Sequence, residues 1–213
     1  MRFVSRNDIV DLRFEIRNTP GEVDMGQRIA AVQEPYDAEV GEQLRSMMPA
    51  GMAPIALFRT FIRNSAMTEA MHGWGRYELS SGLSLTMRER EIVIDRTCAL
   101  CRCEYEWGVH ILFYAERVGF TAAQVASLTH GRPDDACWEG RERLLVRAID
   151  ELHHSNDIAD SLWAELAAEF SDAQLLDLTM LCGWYHAISF TARAARVDLE
   201  AGAPRFDDHL PLG

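Results

Sequence analysis

The sequence predicts an all-α protein, and three observations carry that reading. Alternating β-branched runs, the period-two mark of strands, are missing. Helix start signals recur instead: Thr86 with Glu89, Thr121 with Gln124 and Ser171 with Gln174 each spell a capping box. In such a box a hydroxyl and a carboxylate or amide satisfy backbone N–H groups left over at a helix start. Behind the boxes, apolar residues fall three and four apart, the spacing that keeps them on one helical face.

Taken in order, the first 35 residues carry the least pattern. After the turn at Pro49-Ala50-Gly51, Leu57, Phe58, Phe61 and Trp74 mark helical faces suited either to the core or to a subunit interface. Ser65 precedes a helix over Ala66 to Leu79, and Ser80-Ser81-Gly82 turns the chain. The Thr86 box opens a helix running to about Leu100. A further helix carries Cys103, Glu106, Trp107, His110, Ile111, Tyr114 and Val118 on one stripe. The Thr121 box follows, then the turn Gly131-Arg132-Pro133. His153 and His154 sit near a helix end, where imidazolium interacts well with the C-terminal dipole. Ser155 or Asp157 starts the helix with Leu162, Trp163, Leu166 and Phe170. The Ser171 box opens the last long helix, Asp172 to about Val197, with Leu175, Leu178, Cys182, Tyr185 and Ile188 near one face. From Gly202 onward helical character fades, and this tail is expected to lie over the surface or a neighbouring subunit.

At 213 residues the chain can bury a sizeable single core. No linker-like stretch, repeat or low-complexity run divides it. The expected organisation is an N-terminal extension over 1–48 that is partly helical, one domain over 49–206, and a short tail over 207–213. The 33 acidic residues against 21 basic give a net charge of −12, which argues against nucleic acid or an anionic membrane as partner. No stretch approaches the roughly 18 apolar residues of a membrane-spanning helix, and Met1 to Asp8 hold no run of signal-peptide type. Five cysteines, three of them crowded into Cys98, Cys101 and Cys103, do not make a secreted disulfide framework. A reduced, cytoplasmic protein is the expectation.

The chemistry concentrates in Cys103, Glu106 and His110. Offsets of three, four and seven bring a thiol, a carboxylate and an imidazole onto the face that should point inward. A glutamate buried there needs a partner, and His110 is the obvious one. Cys98-Ala-Leu-Cys101 is formally a CxxC, but no second ligand pair follows at zinc spacing, so no metal is expected and both read as small buried hydrophobes. Cys101 is also out of phase with His110 unless the chain breaks near Arg102.

Arg88-Glu-Arg-Glu91-Ile-Val-Ile-Asp-Arg96-Thr97, followed by Cys103-Glu-Tyr-Glu106-Trp-Gly-Val-His110, resembles the carboxymuconolactone decarboxylase family, the superfamily of AhpD-like alkylhydroperoxidases. Gly119-Phe120-Thr121, Gly183-Trp-Tyr-His-Ala-Ile-Ser189 and Leu199-Glu-Ala-Gly-Ala-Pro-Arg-Phe206 fit the same pattern, so the likeness covers about Pro49 to Phe206. It implies an AhpD-like helical domain, a cofactor-free site and a homo-oligomer (dimer, trimer or hexamer). In the peroxidase branch a relay glutamate, a CxxC and a histidine form the motif. Position by position, Glu91 matches the relay, Cys103 the first cysteine and His110 the histidine, while Glu106 replaces the cysteine that attacks peroxide.

A dithiol cycle needs a thiolate and a resolving thiol, and a carboxylate is neither. The expected function is therefore acid–base chemistry on a small organic acid or lactone, of the decarboxylase type. His110 would be the general acid/base, Glu106 its partner or a second acid, Glu91 the relay and Cys103 a pocket-lining thiol. Arg96, Trp107, Tyr185 and His186 are candidate substrate-binding residues, with a salt bridge as the other reading of Arg96 and packing as that of Tyr185 and His186. Alternatives are a hydroperoxide reductase using Cys103, or a non-catalytic ligand-binding oligomer.

Overall fold

The computed structural model describes residues 26–210. The expectations for residues 1–25 and 211–213 lie outside the described residues. The described chain holds no strand. Its helices are α1 (Ala38–Ser46), α2 (Ala56–Phe61), α3 (Ser65–Glu78), α4 (Met87–Leu100), α5 (Glu104–Tyr114), α6 (Ala122–His130), α7 (Gly140–Ser155), α8 (Asp160–Glu169) and α9 (Asp172–Ala195), with 3-10 turns at Ile62–Asn64 and Phe206–His209.

All three capping boxes form with both reciprocal bonds, and they open α4, α6 and α9. Two starts differ from the sequence reading. Asn64, one residue before Ser65, caps α3 by accepting the Met67 N–H at 3.1 Å. Neither Ser155 nor Asp157 caps α8. Ser155 is the last residue of α7, Asn156 reverses the chain at φ 61°, and α8 begins behind Ala159. Asp157 spends its carboxylate on the neighbouring Ile158 N–H instead.

The chain does break at Arg102. Its φ of 53° is left-handed, the Cys103 N–H bonds the Cys98 carbonyl at 2.8 Å, and the Arg102 N–H bonds the Ala99 carbonyl at 2.9 Å. These are the paired bonds that close a helix with a left-handed residue just beyond its end. Cys103 consequently precedes α5 as its N-cap, while Glu106 and His110 ride on the helix itself.

Helix α4 is the hub, packed against α5, α6, α7 and α9. Residues Glu89 to Cys98 are all buried, although half of them are charged. Ile92, Val93 and Ile94 pack in the main core with Leu145, Ile149 and Leu178; full burial of each such side chain contributes about 1.5–3 kcal/mol. Glu89 and Arg96 are held by partners from outside α4, whereas Arg90 pairs with its neighbour Glu91 on the same helix. Arg141 reaches Glu89 at 2.9 Å, and Arg96 grips Asp150 with two bonds of 2.7 and 2.8 Å. A second apolar cluster joins α2, α5 and α9 through Leu57, Phe61, Val109 and Ile188.

Both ends of the described stretch are fastened to this body. Arg28 and Ile29 donate backbone N–H bonds to the Ala195 carbonyl, and Val32 donates to the Arg59 carbonyl. The tail runs along α5: Glu200 accepts from the Tyr105 hydroxyl at 2.7 Å and from the Ala56 N–H at 2.5 Å, and Phe206 packs on Trp107 with 5.0 Å between ring centres. Gly108 makes this approach possible, since a Cβ there would stand 2.8 Å from the Pro204 carbonyl oxygen. No described helix is long and apolar enough to cross a membrane.

Candidate active site

Helices α4, α5 and α9 send polar side chains to a common point. Glu91 comes from the middle of α4, His110 from α5 and Tyr185 from α9. His110 Nδ1 lies 2.8 Å from Glu91 Oε2, and its Nε2 lies 3.1 Å from the Tyr185 hydroxyl and 3.5 Å from Glu106 Oε1. Arg90 holds the other Glu91 oxygen with Nε and Nη2 at 2.6 and 2.5 Å. Tyr114 stacks on the imidazole at 5.5 Å, and the Arg90 guanidinium lies 4.9 Å from the centre of the Tyr114 ring. The imidazole is thus fixed on both edges and one face.

Electrostatics follow from this packing. Burial alone would lower the His110 pKa, but the Glu91 and Glu106 carboxylates outweigh it and raise the value well above the ordinary range. His110 is an imidazolium at neutral pH. Burial raises Tyr185 well above its usual value, so it stays a phenol. Asp95, one turn beyond Glu91, is buried, and neither carboxyl oxygen has a hydrogen-bond partner among the described residues. Burial and then the Glu91 charge push its pKa far up, which makes it a neutral acid.

Glu106, His110 and Tyr185 form part of the wall of a cavity of about 520 Å³. Most of the remaining wall is apolar: Met47, Met48 and Met52 from the segment after α1, Phe58 and Phe61 from α2, Met71 from α3, and Phe113, Trp184 and Ile188. Met47 and Met48 belong to the expected extension, so that segment walls the site. Glu78 also faces the cavity. It is 1% exposed, one oxygen lacks a partner, and burial, against a hydrogen bond from Trp74, pushes its pKa up to about 8. Arg76 and Arg117 supply exposed cations among the lining residues.

The other residues singled out in the sequence lie elsewhere. Cys103 is fully buried but does not line the cavity, and burial pushes its thiol up to about 11 despite the nearby Glu106 backbone N–H. Arg96 points to α6 and α7: besides Asp150 it donates to the Ser127 and Leu128 carbonyls, so all its reach is spent on structure. Trp107 is fully buried under Phe206 and His209, on the side of α5 turned to the tail. His186 turns away from Tyr185 toward α7, where its Nε2 meets His153 Nδ1 at 2.9 Å. Glu91 is brought to His110 but stands behind it, away from the cavity wall.

Glu78, Asp95 and Arg90 were missed. Glu78 shares its stripe with Thr68, Met71 and Gly75, all of which line the cavity, and Asp95 is four residues after Glu91. Helical phase could have flagged both. Nothing in the local sequence marks Arg90.

No protein-family model matches the chain, and no curated protein matches it in sequence. Solved structures do share its shape. An uncharacterized peroxidase-related protein from Silicibacter sp. TM1040 superposes with a TM-score of 0.71 at 17% identity, over 85% of this chain and 98% of that one. A peroxidase-related protein from Ralstonia eutropha JMP134, described as an alkylhydroperoxidase AhpD core, gives 0.69 at 14% identity, over 83% and 95%. The debrominase Bmp8 gives 0.61 at 15% identity, over 83% and 94%. The chain has the AhpD-like helical fold.

Proposed function

We propose that this protein is a cofactor-free enzyme that moves a proton at His110 within an apolar cavity, acting on a small organic acid or lactone in a decarboxylase-type reaction. The observation that carries this reading is the linear arrangement Glu91–His110–Tyr185 with Glu106 alongside, ending at the cavity wall. Glu91 sets the orientation and charge of the ring, and Nε2 presents the transferable proton to the cavity side. A substrate carboxylate drawn past Arg76 and Arg117 would leave water for a wall of methionine and aromatic side chains. That transfer disfavours the charged carboxylate and favours loss of neutral carbon dioxide. The carbon–carbon bond would break with its electron pair retained on the substrate, delocalised into a conjugated carbonyl. The imidazolium proton would then pass to the carbon. Glu78, neutral below pH 8, is a second proton source on the same wall.

The AhpD-like neighbours include peroxidase-related proteins and a debrominase. They favour an enzyme on this fold without selecting the reaction. Thiol chemistry is the weaker reading here, because a protonated Cys103 outside the cavity is a poor nucleophile. The two separate cheaply: tert-butyl hydroperoxide should leave all five thiols countable in the untreated and treated protein alike. For the preferred reading, a panel of carboxylated unsaturated lactones is assayed for carbon dioxide release. His110→Ala should abolish turnover while keeping the helical signal, and unchanged turnover in that variant would rule the assignment out.

We also infer homo-oligomeric assembly. Leu176, Met180 and Phe190 are 66%, 53% and 63% exposed and recur on one face of α9, with Gly183 and Ala187 between them. An apolar stripe of this kind is suited to a subunit contact.

A further inference from the structure

We propose that Cys101, His153 and His186 form a binding site for a divalent transition metal, with Zn²⁺ as the natural fit. The three residues come from separate parts of the fold: the C-cap of α4, the last turn of α7 and the middle of α9. Their ligand atoms all lie within 4.8 Å of one another. Small side-chain rotations within that spread suffice to place all three around one ion, with sulfur at about 2.3 Å and nitrogen at about 2.0–2.1 Å.

The hydrogen bonding of the site orients one ligand nitrogen toward the cluster. His186 Nδ1 bonds the backbone carbonyl of Cys182 at 2.8 Å. A carbonyl only accepts, so Nδ1 carries the proton and Nε2 is left with its lone pair pointing into the cluster. This second contact is how ligating histidines are usually held. Without an ion, His153 Nδ1–H donates to that lone pair at 2.9 Å, and a bound metal would displace the shared proton and take the nitrogens as ligands. Two imidazole nitrogens that meet beside a thiol form a soft, borderline donor set suited to Zn²⁺ or Co²⁺ rather than to Mg²⁺ or Ca²⁺. Cys101 is buried while both histidines are half-buried, which gives an ion a path inward and leaves a fourth position for solvent. The site faces away from the cavity, since neither Cys101 nor either histidine lines it, so it would act as a clamp between α4, α7 and α9.

The test uses the full chain, stripped with a chelator and titrated with Co²⁺. One Co²⁺ per chain is expected, with a sulfur-to-cobalt charge-transfer band that Zn²⁺ abolishes by displacement. Cys101→Ser should remove the band, and His186→Gln, at a half-exposed position, should weaken Zn²⁺ binding at least tenfold. Zn²⁺ should raise the thermal midpoint of the wild type and of His110→Ala alike. Far-ultraviolet circular dichroism confirms that each variant is folded. Failure to take up Co²⁺ or Zn²⁺ stoichiometrically would overturn the proposal. So would binding that survives Cys101→Ser but is lost in His154→Ala, which would mean an exposed histidine pair is the ligand.

Discussion

His110 shows how much a single side chain depends on what surrounds it. Alone, a buried histidine loses its charge; between Glu91 and Glu106 it keeps it. The folded pKa therefore lies above the unfolded value. The stability it contributes is fully present below about pH 6.5 and is lost as pH rises through the raised native value. Glu91→Gln should lower the His110 pKa, read from its ring resonances in an NMR titration, and depress turnover with it; an unmoved titration would remove Glu91 from the relay. Glu78 runs on a different window. Its native pKa of about 8 against an ordinary 4.5 means the folded state holds a proton the unfolded state has lost. Stability should fall as pH rises from 4.5 to about 8, and Glu78→Gln should flatten that fall in urea unfolding measured at several pH values. A wild-type slope in the variant would assign the effect to another group.

At the scale of elements, the join between α4 and α5 decides the site. A left-handed Arg102 stops α4, sets Cys103 at the threshold of α5, and gives α5 the rotation that aims Glu106 and His110 at the cavity. An L-residue pays about 1–2 kcal/mol for this conformation, while glycine adopts it freely at an unfolded-state entropy cost of about 0.5–1 kcal/mol. Arg102→Gly should therefore stabilise by up to about 1 kcal/mol, measured by chemical denaturation, with activity intact. The capping boxes behave as the sequence predicts because each is local: hydroxyl, carboxylate or amide and backbone all lie within four residues. The α8 start was misjudged because two good capping residues, Ser155 and Asp157, were consumed by the turn that ends α7.

For the whole molecule, the cavity is a joint product of α2, α3, α5, α9 and the segment after α1. Its chemistry also relies on α4, which pairs Glu89 and Arg96 outward to α7 and keeps the Arg90–Glu91 pair behind His110. The exposed α9 stripe belongs to this scale too. If it is an assembly surface, Leu176→Asp combined with Met180→Asp should reduce the mass seen by light scattering without unfolding the chain. An unchanged mass would move the interface elsewhere.

The sequence by itself determined the helical class, the capped starts of α4, α6 and α9, and the pairing of Glu106 with His110, since all of these depend on contacts within about two turns. Helical phase put Cys103 with His110, but the structure makes it the N-cap of α5, buried outside the cavity in one cluster with Cys101. Only the tertiary structure decided which residues share a space. It sent Arg96, Trp107 and His186 to other faces, brought Glu78 and two methionines from the N-terminal segment to the cavity, and set Cys101 beside histidines 52 and 85 residues further along (153 − 101 and 186 − 101). Residues from different helices meet through packing, and packing is set by the combined shape of every helix in the core.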